Sequence, residues 1–274
     1  MGIVDLHTHS TFSDGTDDPK SLIAKIEAAG LDGFALTDHE TCDGIEPMRK
    51  ALAETGSKLI FVPGIEYSTY LDGIGEIHIL GYFPFGGIEK LDELIAGSKV
   101  YRMERAKRIV DCLKSKGVNL DSDKLFSDGD KTIGRMHIAR ALVEQGFFDD
   151  PQDAFKKYLG QGSPCYFPRR KLSPEDAIRV TADAGGISSL AHPVFLAKTG
   201  NWQIVDRFID AGLQGIEYFH PRVTRNLMVK IRERYAGKLL LTGGSDFHGD
   251  MNQTALGFYG IPVEEFHSVF TTHS

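Results

Sequence analysis

Chemistry in this chain is concentrated in its histidines and in the carboxylates that accompany them. His7 and His9 stand two residues apart at the end of a strand-like run, Ile3 to His9, so both rings point to one face. Asp14 follows in the next loop. Asp38 and His39 end a second such run, Glu66 ends a third, His78 lies on a fourth, and His192 ends a fifth. Asp246 and His248 follow the last run. Each falls at or near the carboxyl end of a strand, where a β/α barrel gathers its active-site side chains from different strands. Imidazole and carboxylate are ligands for zinc, manganese and iron. The set exceeds the needs of one four-coordinate ion, so the expectation is two or three divalent ions (Mn2+, Zn2+ or Fe2+). Ions held ~3.5–4 Å apart activate a water and neutralise the charge of phosphoryl transfer. A lone histidine on a strand is more often an ordinary packed residue; the joint pattern, with HxH and DxH bracketing the chain, carries the reading. Asp5 shares the face of His7 and His9 and reads as a buried supporting carboxylate. His220, in Tyr-Phe-His-Pro, reads as a rim residue, and His267 and His273 have no assigned role. No Ser or Cys stands in a nucleophile setting.

The elements that must position these groups alternate. Runs at Ile3–His9, Asp32–Thr37, Lys58–Glu66, Glu76–Phe83, Gly186–His192, Gln214–Phe219 and Lys238–Thr242 read as strands. Helices are predicted between most of them. The first, from Pro19, is capped by Asp17 or Asp18 and stopped by Gly30. Another, opening at Ser173-Pro174-Glu175-Asp176, carries a capping box. Alternating strands and helices imply parallel βα units. The fold class predicted is α/β, a distorted seven-stranded (β/α) TIM-like barrel with a helical insertion. The barrel domain takes residues 1–87 and 171–274, and the insertion, a substrate-capping domain, residues 88–170. Within the insertion, Ser98 to Lys116 carries seven basic residues against two acidic ones. That run reads as a solvated helix face, with Arg102 and Arg105 as candidates for lining a path to a longer nucleotide chain. Tyr166, Phe167 and Arg169 are candidates for a stacking platform.

Composition sets the bounds. The chain has 274 residues, 41% hydrophobic and 25% charged, with a net charge of −7. Such a balance excludes a disordered chain and a broad basic surface for duplex DNA. Cys42, Cys112 and Cys165 form no CxxC, so neither a disulfide framework nor a zinc finger is expected, and a cytoplasmic location is the default. No apolar run approaches the ~18 residues of a membrane span, no signal peptide is visible, and no obligate protein partner is evident.

The segments DLHTHSTFSDG (5–15), LTDHETCDG (36–44), PGIEYS (63–68), EIHILGY (76–82), LAHP (190–193) and GGSDFH (243–248) resemble, in order, the motifs of the PHP (polymerase and histidinol phosphatase) superfamily. The likeness is strongest to its nucleotide-directed phosphoesterases, the nucleoside 3′,5′-bisphosphate phosphatases and 5′-to-3′ oligoribonucleases. Glu40 departs from the Asp common after the DH pair in relatives.

The resemblance implies the PHP barrel and a site of three ions, sometimes two. His7, His9, Glu66 and Asp246 would hold one. Glu66 would bridge to a second, held also by His78 and His192. Asp14, His39 and His248 would hold the third. Asp38 would support the cluster, and His192 or His248 could protonate the leaving group if not fully engaged with metal. The activity implied is hydrolysis of nucleotide phosphate esters by attack of a metal-bridged hydroxide. Substrates would be 3′,5′-bisphosphates such as pAp, short 5′-phosphorylated oligoribonucleotides, or both. Arg135 and His137, in Gly-Arg-Met-His-Ile-Ala-Arg, would contact substrate phosphate, a guanidinium being suited to bidentate grip. Competing readings are a histidinol-phosphate phosphatase or other small phosphomonoesterase, an amidohydrolase, and a non-catalytic PHP interaction module.

Overall fold

The computed structural model describes residues 2–127, 133–167, 172–249 and 255–270, leaving aside the side chains of residues 98, 99, 268 and 269. The chain divides into two compact units, Met1–Asp92 with Lys171–Ser274, and Glu93–Arg170.

The first unit is built on one sheet. Its strands are β1 (Ile3–Thr8), β2 (Gly33–Leu36), β3 (Ile60–Leu71), β4 (Gly75–Tyr82), β5 (Ile187–Leu190), β6 (Gly215–Phe219), β7 (Leu240–Gly243) and β8 (Ile261–Pro262). The spatial order is β7-β6-β5-β4-β3-β2-β1-β8. The segment after β7 returns to β1, with a parallel bridge between Thr8 and Phe247, and the His9 amide donates to the Phe247 carbonyl at 2.9 Å. The sheet is thereby a nearly closed α/β barrel. The helices are α1 (Pro19–Ala28) and α2 (Ile45–Thr55), with others after the second unit.

Local chemistry explains the helix ends. Asp18, of the two candidates, caps α1, accepting from the Ser21 amide at 2.9 Å. Pro19 needs no donor at that position, and Leu22, Ile23 and Ile26 bury one stripe. Gly56 ends α2 in the left-handed region at φ 67°. Apolar residues of alternate strand positions, Val4 and Leu6 of β1 with Val62, Leu80, Tyr82 and Ile187, form a core with Phe266 and Phe270. Each such side chain buried stabilises by ~1.5–3 kcal/mol.

Three expectations are corrected. Eight strands are present rather than seven; the two-residue β8 pairs antiparallel to β1 and is too short to show a period. The units are not all parallel. β3 and β4 form an antiparallel hairpin, and β4 also runs antiparallel to β5. The turn between β3 and β4 is too short for a helix, and only a crossover of a dozen or more residues permits parallel pairing. Finally, β3 does not end at Glu66 but continues to Leu71 as the hairpin's arm.

The second unit holds α3 (Asp92–Ser115), which begins at the boundary, α4 (Ser122–Leu125), α5 (Arg135–Glu144), α6 (Pro151–Ala154) and one π-helical turn, Phe155–Leu159. Ala106, Ile109, Val110 and Leu113 of α3 pack with Ile138, Ala139 and Leu142 of α5. Cys112 and Cys165, which the sequence reading left unpaired, form a disulfide here. They lie 53 residues apart, so no local spacing announces the pair. The first unit resumes with α7 (Pro174–Asp183), α8 (Phe195–Thr199), α9 (Gln203–Asp210), α10 (Arg225–Tyr235) and α11 (Val263–Phe270). Ser173 caps α7, its hydroxyl accepting from the Asp176 amide at 3.1 Å. Among the described residues no helix is long and apolar enough to cross a membrane.

Candidate metal centre

Every proposed ligand lies in the first unit. His7 is on β1 and His9 just past it, and their rings lie on one side of the strand with centroids 5.1 Å apart. His39 and Glu40 follow β2, and His192 follows β5. Asp246 and His248 sit on the segment that closes against β1. His78 corrects the rule that each group ends its strand. It lies mid-strand on β4, opposite Ser68 of β3. Because β4 runs the other way, its early residues share the end of the barrel reached late by the parallel strands.

Among the described residues, three without a glycine's freedom adopt positive φ, and all belong to this rim: Glu40 at 53°, His192 at 24° and Asp246 at 54°. Such conformations cost ~1–3 kcal/mol each and persist where the surroundings over-determine them. Glycine permits the closest approach. A Cβ on Gly244 would stand 2.6 Å from the His7 amide nitrogen and collide with the His7 Cβ.

Glu66 is the centre of the cluster. Its Oε2 lies 3.3 Å from His7 Nε2, 3.3 Å from His9 Nε2 and 3.0 Å from His39 Nδ1. Its Oε1 lies 2.7 Å from His78 Nδ1 and 3.1 Å from His192 Nε2. Asp246 Oδ1 is 3.4 Å from His7 Nε2 and 3.3 Å from His9 Nε2. Asp14 Oδ1 is 3.1 Å from His248 Nε2, and Asp14 Oδ2 4.0 Å from His39 Nε2. The groups whose ligand atoms converge are His7-His9-Glu66-Asp246, His9-Asp14-His39-His248 and His39-Glu66-His78.

Electrostatics in the metal-free protein reflect this crowding. Burial opposes a charged His9, but hydrogen bonds to Asp246 and Glu66 outweigh it and raise its pKa to about 10. His78 is likewise opposed by burial and raised to about 9 by Glu66 and Glu76. Burial dominates at His39 and lowers it to about 4. Burial works against the charge of Glu66 and Asp246 too, yet the surrounding imidazoles hold both well below the usual carboxylate range.

The residues fit a metal centre. His7 Nε2, His9 Nδ1 and Nε2, and Glu66 Oε2 are buried and make no hydrogen bond of good geometry. Such atoms are costly to bury unsatisfied, and His7 Nε2 and His9 Nε2, each 3.3 Å from Glu66 Oε2, suit a cation. The donor set is mixed imidazole and carboxylate, as zinc, manganese and iron sites use.

Other predicted residues are placed differently. Asp38 is buried and spends its carboxylate on the loop, accepting from the Ser10 amide at 2.8 Å, the Ser10 hydroxyl at 2.7 Å and the Ser13 hydroxyl at 2.5 Å. Asp5 accepts from the amides of His7, Ser245 and Gly257 at 3.2, 2.9 and 3.1 Å. Arg135 and His137 lie in the second unit, on the first turn of α5. Arg135 donates to the Leu159 carbonyl at 3.1 Å, and His137 Nδ1 accepts from the Gly134 amide at 3.0 Å. The basic run of α3 is not wholly a solvated face: Arg102 and Arg105 are buried, and Arg105 Nε donates to the Phe167 carbonyl at 2.7 Å. Tyr166 and Phe167 already carry guanidinium groups, from Arg135 at 5.3 Å and Arg108 at 4.5 Å. Arg169 and His273 lie outside the described residues. His267 is on α11 beside Phe266.

Sequence reading missed Glu217. It is fully buried on β6, and with His7 and His220 it forms a further convergent group. An acid in an otherwise apolar strand, Gly-Ile-Glu-Tyr-Phe, was the available signal, since Glu is almost never fully buried without a partner.

The PHP domain family model matches residues 5–265. Among curated proteins, a 5′-3′ exoribonuclease of Haemophilus influenzae is 36% identical over 92% of this chain and 92% of its own length. A 3′,5′-nucleoside bisphosphate phosphatase of Chromobacterium violaceum is 33% identical over 90% of this chain and 88% of its own. A solved structure from Bifidobacterium adolescentis, described as that of a metal-dependent phosphoesterase, superposes with a TM-score of 0.85 at 29% identity, covering 98% of this chain and 95% of that one.

Proposed function

The chain belongs to the PHP domain family, and on that premise we propose that it is a metal-dependent hydrolase of nucleotide phosphate esters. Its substrates are nucleoside 3′,5′-bisphosphates, short 5′-phosphorylated oligoribonucleotides, or both, in line with the activities that its relatives are named for. The observation that carries the phosphoesterase reading is the convergence of five imidazoles on the two oxygens of Glu66.

In this reading His7, His9, Glu66 and Asp246 would hold one divalent ion. Glu66, His78 and His192 would hold a second, and Asp14, His39 and His248 a third. Divalent ions, when bound, supply an activated water and neutralise phosphoryl oxygens. The chain's own part is placement. Glu66 has two oxygens, one toward each set of rings, so one side chain serves neighbouring ions. Asp38 keeps the loop that carries Asp14 in place through Ser10 and Ser13. His192 and His248 are the candidates to hand a proton to the leaving oxygen. Arg135 and His137 are proposed to contact a substrate phosphate. The net reaction consumes one water and yields phosphate, or a nucleotide, and the free hydroxyl.

Phosphate release from pAp, AMP and histidinol phosphate, and nucleotide release from short 5′-phosphorylated oligoribonucleotides, with elemental analysis of the purified protein, test this. Two or three ions per chain and turnover of the nucleotide substrates are expected. Histidinol phosphate as the sole good substrate would overturn the substrate class. A metal-free protein, inactive with added manganese, would overturn the enzymatic reading.

A further inference from the structure

We propose that Glu217 and His220, at and just beyond the end of β6, form an outer tier that fixes three metal ligands, His7, His192 and Asp246, and thereby sets how tightly the cluster holds its ions. The inference rests on the metal-centre reading above. Glu217 is completely buried and its two oxygens are divided between two ligands. His7 Nδ1 donates to Oε1 at 3.1 Å, and the His192 amide donates to Oε2 at 2.7 Å. An ionised carboxylate only accepts, so in the neutral ring that a metal requires, the hydrogen of His7 sits on Nδ1, which leaves Nε2, on the side of Glu66 and Asp246, as the ligating atom. The amide bond to His192 anchors a backbone held at φ 24°, a strained conformation that would otherwise relax and swing the ring away.

His220 does the same for Asp246. The Arg222 amide donates to His220 Nδ1 at 3.0 Å. An amide nitrogen cannot accept, so the hydrogen of the neutral ring is on Nε2. That atom lies 3.5 Å from Asp246 Oδ2 and 3.9 Å from Glu217 Oε2. Nε2 makes no hydrogen bond of good geometry, so its contact with Asp246 is electrostatic; with Oδ2 on the His220 side, Asp246 turns Oδ1 toward His7 and His9. The same tautomer argument excludes His220 itself as a ligand, although its ring stands among those of the centre, 5.1 Å from His192. One nitrogen is taken by an amide and the other carries a hydrogen. Outer-tier partners of this kind orient metal-binding groups and tune their basicity.

The test is metal affinity rather than turnover. Chelator-stripped parent chain and the variants Glu217→Gln and His220→Phe are titrated with Mn2+ and Zn2+ against a chromophoric competitor, and bound ions are counted by elemental analysis. Each variant is expected to bind ions about 10–100-fold more weakly, and at limiting free metal to retain only the ion of the Asp14-His39-His248 group. Folded variants with the parent's count and affinity overturn the proposal, whatever their melting temperatures, because a merely structural role would lower stability and leave affinity unchanged. A parent chain that takes up no ion overturns the metal-centre reading and this inference with it. If neither variant folds, long-range 1H–15N imidazole spectra of the zinc-loaded parent decide: hydrogens on His7 Nδ1 and His220 Nε2 are expected, and the opposite tautomers overturn it.

Discussion

Glu66 presents two oxygens to five imidazoles, and losing it removes more than one ligand's worth of binding. Glu66→Ala is expected to lower the ion count by at least two and the phosphatase rate by more than about 100-fold, beyond what an outer-tier partner costs. A chelator-competition titration and a single-turnover assay check this. Protonation is the competing occupant of the same atoms. His9 and His78, raised to about 10 and about 9 in the metal-free chain, carry protons at neutral pH, and an ion must displace them. Metal binding at pH 7 should therefore release protons, measurable in weakly buffered solution, and apparent affinity should rise with pH up to about 10. The same shifts bear on stability. A ring whose folded pKa exceeds its unfolded 6.5 contributes stability fully below 6.5, and that contribution is lost as pH rises through the folded value. Glu66 and Asp246, depressed, contribute above their unfolded 4.5 and 3.8, and lose it as pH falls. On these four groups the metal-free chain is thus expected to melt highest between about pH 4.5 and 6.5 and to lose stability as pH rises toward 9, a thermal scan across pH being the check. At this scale the sequence was informative: residue type and strand position gathered ten polar residues, and the resemblance to the PHP superfamily set nine of them apart as ligands and Asp38 as support. Glu217 escaped because a lone acid in an apolar strand names no partner until the barrel brings β6 within reach of His7 on β1 and the His192 amide after β5.

Among the elements, the joint between β1 and the segment after β7 carries the most consequence, since it brings His7 and His9 against Asp246 and His248. Two features hold it. Asp5 accepts three backbone amides, from β1 itself, from Ser245 and from Gly257. Asp5→Ala leaves those donors buried without acceptors, at ~1–3 kcal/mol each, so a fall in the denaturant midpoint of several kcal/mol-equivalents is expected before any ion is added. Gly244 supplies the close approach. Gly244→Ala forces a methyl into His7 and should cost both melting temperature and metal uptake, whereas Gly30→Ala, with open space around its Cβ but φ 71°, should cost stability alone. Thermal melts paired with ion counts separate the two. Helix ends were legible from composition, as at Asp18-Pro19 and Ser173-Pro174, because caps are local chemistry. Strand direction was not. The alternation of strand and helix implies parallel units, and only the brevity of the Asp72–Ile74 turn betrays that β4 reverses. The two-residue β8 has no period to read at all.

Across the whole molecule, the chain's two units carry two unrelated stabilising devices. All nine candidate ligands belong to Met1–Asp92 with Lys171–Ser274, whereas the Cys112–Cys165 disulfide lies wholly in Glu93–Arg170. Both devices can be removed by reagents rather than by mutation. Ions bound to the native state alone stabilise it by RT ln(1 + [L]/Kd), ~4 kcal/mol at a thousandfold excess over Kd. A disulfide closing a loop of this length stabilises by at most ~4 kcal/mol on the chain-entropy account. The sequence reading could foresee the first device, since the ligands declare themselves by type, but not the second, since a pair 53 residues apart depends on how α3 meets the chain near Cys165. Calorimetry of the intact protein should therefore respond selectively. Chelator is expected to lower the transition of the ligand-bearing unit, and reductant that of the helical unit. With both reagents the shifts should add, because distant sites without shared partners are independent to within ~0.5 kcal/mol. Mass spectrometry under non-reducing conditions locates the bond beforehand. A chelator that shifted the reductant-sensitive transition by the same amount would show that the two units unfold as one, and the separate assignment of the two devices would fall.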